Sequence, residues 1–404
     1  MNIGVLTFYK VANFGANLQA ASTYLYLKKH GHNPVFINYM SPESLKRYEN
    51  NHLSERWVNH IKFVDKIIEI QTPVCRTSDD ILKMVKLYSL DGIILGSDAL
   101  LQHHPLIARI KRGRRKPFYV AKYDSDCMFP NPFWGCGISE QVRLGYLAVS
   151  SQNSEYKYFT KGLKEKMKSA LSPVSYFSVR DEWTKNLLKS ILPNRKVNVS
   201  PDPVFAFNYN AKELILSKDF IIDKFKIPEN YILISLHYQS LDDSVLYELN
   251  KYYADKGTPC IFLPIPNGRT FNHQCEFEIP STIDPLEWYS LIKNAKGYIG
   301  SNMHPIVVSL HNAVPCYSID NWGKENIFGR KRDDGSSKIK HIMDVFGVGQ
   351  NHSYIENYKC TVNSKKIIES IENFPVEDVA EKALNYYKKY LNIMSDIIES
   401  LTNQ

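Results

Sequence analysis

Compact apolar runs recur along this chain with helical stretches between them, and that order admits few folds. Residues 3–9 form such a run, followed by a turn with Asn13 and Gly15 and a helical stretch placing Leu18, Ala21, Leu25 and Leu27 on one side. A second run at 35–39 completes a strand–helix–strand unit, the signature of a parallel sheet covered by helices. Further strands are predicted at 92–98, 143–149 and 176–180, with helices around 158–171 and 182–191. After a Pro-rich stretch at 198–207 the alternation restarts. Strands are predicted at 231–236, 259–263, 297–300 and 315–319, with helices at 242–256, 285–295 and 305–312. The fold class is therefore α/β. Two Rossmann-like domains facing a cleft, residues 1–207 and 208–376, precede a C-terminal helix at 377–404 with apolar residues at Val379, Ala383, Tyr387, Leu391, Met394 and Ile398. Residues 41–80 and 100–140 show no clear period and read as insertions near a site.

With 404 residues the chain exceeds one ordinary core, which agrees with two domains. No apolar stretch approaches the roughly 18 residues of a membrane span. The first residues enter a strand directly, without the basic region and cleavage site of a signal peptide. The seven cysteines are scattered with no C-x-x-C spacing, as expected of reduced thiols in a cytoplasmic protein rather than a zinc site. The net charge of +8 is that of a solvated surface except at one dense run: Arg109, Lys111, Arg112, Arg114, Arg115 and Lys116. Without interleaved aromatics nucleic acid is the weakest partner for that run; an anionic membrane surface or an anionic substrate fits better.

Five segments carry a family resemblance. They are Asn13-Phe-Gly-Ala-Asn-Leu-Gln19, Gly96-Ser-Asp98 at a strand end, and Tyr146-Leu-Ala-Val-Ser150 with Ser178-Val-Arg-Asp-Glu182. Ser301-Asn-Met-His304 with Val314-Pro315 and Gly335-Ser-Ser-Lys-Ile-Lys340 complete the set. In order and spacing they resemble the polysaccharide pyruvyl transferase family. The resemblance implies a glycosyltransferase-B-like domain pair, phosphoenolpyruvate as donor and no further cofactor. The implied acceptor is a sugar of a surface polysaccharide or its lipid-linked precursor, which receives a pyruvate ketal. By analogy with two-lobed transferases, the last helix is expected to pack back onto the first domain. The implied location is the cytoplasm, with peripheral contact at the membrane's inner face. The chain departs from the family pattern at Asn302, where many members carry Arg, and at Pro305, where many carry Gly.

A donor with phosphate and carboxylate groups needs positive charge from several directions, and helix N-termini supply part of it. Gly15 and Ala16 open one helix, and Pro305 suits the first position of another. The expected donor contacts are Gly15, Ala16, Arg180, Ser301 and Asn302. Structural alternatives are a tight turn at Gly15 and an ion pair of Arg180 with Asp181 or Glu182. Ketal formation needs a proton on the donor's methylene carbon and a base for the sugar hydroxyls. His304 is the candidate acid, with a simple cap as its alternative; Asp98, at a strand end, is the candidate base, with an Asx cap as its alternative. The acceptor is assigned to Asn13, Asn17, Gln19 and Trp134, with Trp322 as a second aromatic facing the cleft. His103-His104 resembles a metal pair, but adjacent residues of a strand face opposite ways, so no metal is expected. Asp202, between two prolines, reads as a rigid turn. The rival functions are a nucleotide-sugar glycosyltransferase of the same architecture and a silent glycan-binding relative.

Overall fold

A computed structural model describes residues 1–402 apart from 113–117, 238, 266–270, 322–323, 326–330, 333–334, 336 and 356–359. Six strands of the first half form one parallel sheet: β1 (Asn2–Leu6), β2 (Asn33–Phe36), β3 (Gly92–Asp98), β4 (Leu144–Val149), β5 (Tyr176–Val179) and β6 (Asn198–Val199). Their spatial order is β2-β1-β3-β4-β5-β6. The second half builds another parallel sheet from β7 (Ile232–Ser235), β8 (Cys260–Phe262), β9 (Phe277–Glu278), β10 (Gly297–Gly300), β11 (Cys316–Asp320) and β12 (His352–Tyr354), ordered β9-β8-β7-β10-β11-β12. Nearly every strand residue except those in the short β6, β9 and β12 is buried, because helices cover both faces; this is why the strands read as unbroken apolar runs. Each sheet reverses its winding once, between β1 and β3 and between β7 and β10. Doubly wound sheets bind ligands in the crevices opened at such reversals.

The C-terminal helix Val376–Thr402 crosses back onto the first sheet. Glycines make room for it. A methyl group on Gly92 would stand 2.9 Å from Leu401, and one on Gly145 2.9 Å from Ile397. Burying those two side chains is worth about 1.5–3 kcal/mol each. Arg143 fixes the helix end by donating to the Leu401 carbonyl, 2.9 Å.

The unreadable stretches resolve differently. Residues 41–80 contribute the helices Pro42–Asn51 and Glu55–Ile67 and the start of Ser78–Leu87. The first is too polar to show an apolar stripe and buries no residue. His103 and His104 lie in a loop and not in the strand expected of them: His103 Nδ1 accepts from the Phe129 amide (3.2 Å) and His104 stacks on Tyr123 at 3.8 Å. Both imidazoles are held down to about 4, mainly by burial. Arg114, Arg115, Lys116 and Trp322 lie outside the described residues.

Candidate active site

Two helix N-termini, one from each domain, open onto one cleft. The chain leaves β1 and enters the helix Phe14–Lys29, whose cap Asn13 accepts from the Ala16 amide at 3.3 Å. Across the cleft the chain leaves β10 and enters Met303–His311. Its cap, Asn302, makes no side-chain capping bond, so the first amides of this helix keep their positive end toward the cleft. The cleft has a volume of about 530 Å³ and includes Asp98, Arg180, Ser301, His304, Asp320 and Lys338 in its walls.

His304 is the second residue of its helix and its ring lies directly on Gly15. A methyl group there would stand 2.1 Å from ring atoms Cγ and Nδ1. Gly15 is not in the left-handed region, so its lack of a side chain serves this contact rather than a special backbone turn. Pro305 falls at the third helical position, not the first. It is tolerated there because the first four amides of a helix have no partner within it.

Behind the imidazole lies a buried ion pair. Arg180, just after β5, donates through Nη1 to Asp202 Oδ2 at 2.8 Å; the side chains are 5% and 1% exposed. The same oxygen accepts from Gln19 Nε2 at 2.5 Å and lies 3.9 Å from His304 Nε2, while Oδ1 accepts from the Val204 amide at 3.0 Å. One carboxylate therefore holds the guanidinium by a hydrogen bond and lies within ion-pair reach of the imidazole. Burial alone would raise the Asp202 carboxyl, but Arg180, His304 and the Val204 amide outweigh it and hold it below the usual range. His304 is pushed down, first by burial; Asp202 pulls upward and Arg180 pushes down again.

Lys338 opens the helix Lys338–Val345. The cap residue Ser337 donates to Asp320 Oδ2 at 2.8 Å and accepts from the Lys340 amide, which ties the helix start to the end of β11. Burial, then the nearby Arg180, push the Lys338 ammonium down to about 7 against the pull of Asp181, Asp98 and Asp202. Three buried polar atoms near the cleft, Arg180 Nε, Ser301 Oγ and His304 Nε2, have no hydrogen-bond partner among the described residues. Such groups call for an outside acceptor or donor.

The site thus brings together Asn13, Gly15, Asp98, Arg180, Ser301, Asn302 and His304, all predicted. Asp98 Oδ1 also accepts from the adjacent Ala99 amide at 2.6 Å, one residue on and not the two that an Asx turn spans, so the Asx alternative is not met. Four assignments need correction. Ala16 is buried, and its amide is taken by Asn13. Asn17 is fully buried, donating to the Tyr9 carbonyl at 2.7 Å and contacting His60 Nδ1 at 2.5 Å. Gln19 is 1% exposed and serves Asp202, not a sugar. Trp134 is 0% exposed, with Nε1 donating to the Gln102 carbonyl, so it is a core residue. Nor does Arg180 pair with Asp181 or Glu182: Asp181 caps the next helix through Thr184, and Glu182 pairs with Lys185. Asp202 and Lys338 were not foreseen as site residues. An acid held between Pro201 and Pro203 just past a strand, in a chain with a strand-end Arg180, is the signal that could have found the first.

A family model for polysaccharide pyruvyl transferase matches residues 13–323, a span that takes in every predicted site residue and stops short of Lys338. None of the curated proteins matches the sequence. Among solved structures, the chain is similar to UDP-GlcNAc 2-epimerase from Neisseria meningitidis bound to UDP-GlcNAc. The two share 13% identity over 99% of each chain, with a TM-score of 0.53. The UDP-GlcNAc 2-epimerase from Methanocaldococcus jannaschii gives 12% identity, 98% and 99% coverage, and 0.52. At that identity the likeness speaks for fold alone, the glycosyltransferase-B-like pair of Rossmann-like domains. With more than half of the sequence matched, the chain belongs to the polysaccharide pyruvyl transferase family and is a transferase that places pyruvyl groups on polysaccharide.

Proposed function

We propose that the donor is phosphoenolpyruvate and that its pyruvyl group becomes a ketal on a sugar of a surface polysaccharide or a lipid-linked precursor. The observation that carries this reading is the meeting of two helix N-termini at one contact, His304 on Gly15, with Arg180 and Lys338 beside it. Phosphate and carboxylate suit these donors, and the unpartnered Arg180 Nε, Ser301 Oγ and His304 Nε2 are groups that the oxygens of such an anion would satisfy. His304 protonates the methylene carbon, leaving C2 electron-poor. A sugar hydroxyl adds to C2 and gives its proton to Asp98. A second hydroxyl then bonds to C2 as the C2–O bond to phosphate breaks, and its proton passes to the departing phosphate. Asp202 orients His304 and does not meet the donor itself.

The acceptor enters from a second groove of about 900 Å³. It shares Asn13, His237, Ile265 and Asn302 with the cleft and adds Trp57, Arg47 and Ser281. This groove takes the place of the buried Asn17, Gln19 and Trp134. Trp57 stands against Tyr48, ring centroids 6.1 Å apart, and offers an aromatic wall to a saccharide. No helix among the described residues is long and apolar enough to cross a membrane. The chain works in the cytoplasm in this reading, with a peripheral hold on the anionic inner face of the membrane.

Thermal shift tests the donor. Phosphoenolpyruvate at 100 times its dissociation constant should stabilise the protein by about 2.7 kcal/mol. A shift with UDP- or GDP-sugars and none with phosphoenolpyruvate would transfer the cleft to nucleotide-sugar chemistry.

A further inference from the structure

The segment after β3 combines charge with exposed apolar surface in a way the two sheets do not require. After Leu106–Arg109 the chain forms a two-stranded antiparallel ribbon, Ile110–Lys111 against Tyr119–Val120, with Ile110 opposite Val120 and Lys111 opposite Tyr119. Arg109 Nε donates to the Ala121 carbonyl at 2.9 Å and the Ala121 amide to the Arg109 carbonyl at 2.7 Å, which closes the ribbon's base. Tyr123, stacked on His104, anchors it to the domain. Leu106, Ile107, Phe118, Tyr119 and Val120 are 62, 58, 61, 48 and 44% exposed, so exposed large apolar side chains stand on both strands of the ribbon and on the turn before it. Between Asp98 and Asp124 the sequence holds no acidic residue, while Arg109, Lys111, Arg112 and Lys122 alternate with those apolar residues along the chain.

An exposed apolar stretch interspersed with cations is costly to leave in water, and its charge disfavours basic partners. An anionic lipid surface meets both halves of it: aliphatic and aromatic side chains enter the headgroup boundary while Lys and Arg stay with the phosphates. A solvated basic face would not need Phe118 and Ile107. We propose that this ribbon is a membrane-docking device that inserts Leu106, Ile107, Phe118 and Tyr119 into an anionic leaflet. It extends the proposed membrane contact from a charged run to a specific inserting element. Because the ribbon follows β3, at the sheet edge carrying Asp98, docking would also present the cleft side of the first domain to the lipid.

The test is co-sedimentation of the full chain with vesicles of equal parts phosphatidylcholine and phosphatidylglycerol, against phosphatidylcholine alone. Binding is expected only with the anionic vesicles. Lys111→Gln with Arg112→Gln should weaken it about twenty-fivefold, since each cation near such a surface is worth roughly fivefold. Phe118→Ser with Tyr119→Ser should weaken it at least about tenfold at unchanged surface charge, even in high salt where the charge contribution fades. Melting temperature and turnover on a soluble acceptor report separately on folding and on the transferase reading, and both are expected to stay as in the parent. A chain that remains in the supernatant, or binding insensitive to the serine pair, overturns the insertion. So does a concentration-dependent dimer that Phe118→Ser abolishes without vesicle binding; the patch would then face a second copy of the chain.

Discussion

Replacing Gly15 by alanine isolates the contact on which the site is built. The added methyl group would stand 2.1 Å from Cγ and Nδ1 of His304, where ordinary contact begins at 3.4 Å. The ring must retreat by more than ~1 Å, or the first turn of Phe14–Lys29 must back away. Neither is free to happen locally, because Phe14 is stacked on Trp288 at 4.9 Å and His304 Nε2 faces Asp202. A misplacement of about 1 Å in a reacting group can cost on the order of 10²-fold in rate. Folding should suffer far less. Alanine is a better helix former than glycine by up to about 1 kcal/mol, and that gain offsets part of the strain. The expected result is a turnover loss of about 10²-fold with a melting temperature within a few degrees of the parent. Gly162→Ala serves as the control, because a methyl group there meets nothing within 4 Å. The assay is steady-state phosphate release alongside thermal melting of both variants. A Gly15→Ala enzyme with near-parental turnover would refute the reasoning, since the imidazole could then occupy another position without consequence.

His304→Gln keeps a hydrogen-bonding side chain but no proton to give, so turnover should fall about 10²–10⁴-fold with a smaller change in donor affinity; solvent deuterium should enter the product methyl group in the parent enzyme. Near-normal turnover would end the acid role. Arg180→Ala strands the Asp202 carboxylate in the interior, and a loss of about 3–5 kcal/mol in stability is expected, along with a roughly ten- to hundredfold rise in the donor's Michaelis constant. An unchanged melting temperature would contradict the buried pair. Lys338 titrates near 7 in the folded chain and near 10.4 unfolded, so between those values the unfolded state binds more protons and stability rises with pH. Its share of the slope is at most about 1.4 kcal/mol per pH unit; Lys338→Met should remove it in melts from pH 7 to 10, and equal slopes would show an ordinary lysine.

Much of the fold was legible because parallel strands are buried on both faces and announce themselves as apolar runs. The predicted helices at 182–191, 242–256 and 285–295 match Glu182–Ile191, Asp243–Asp255 and Pro285–Lys293 to within two residues. What could not be read was depth. Asn17, Gln19 and Trp134 carry groups that suit a sugar, but a polar side chain one turn further along a helix points into the core as easily as into a cleft. Only tertiary packing decides, and here Asn17 and Gln19 meet His60 and Asp202. The Arg180–Asp202 pair spans 22 residues and joins the end of one strand to a loop between prolines, so no local period betrays it. Lys338 sits within a segment the family resemblance had marked, yet its character comes from burial beside Arg180, which spacing cannot express.

The arrangement also accounts for Asn302 in place of the arginine many relatives carry. Arg180 is bound to Asp202, so its charge is largely balanced, and Lys338 is poised between its two charge states near neutrality. A further guanidinium at position 302 would stand beside both, depressing Lys338 and His304 still more by like-charge repulsion. Asparagine leaves the helix N-terminus uncapped and lets backbone amides supply the positive end instead. Under the proposed chemistry, a trianionic donor entering such a site pulls both groups toward their charged forms. Donor binding then takes up protons at neutral pH, and the proton that His304 needs for the methylene carbon arrives with the substrate that will receive it.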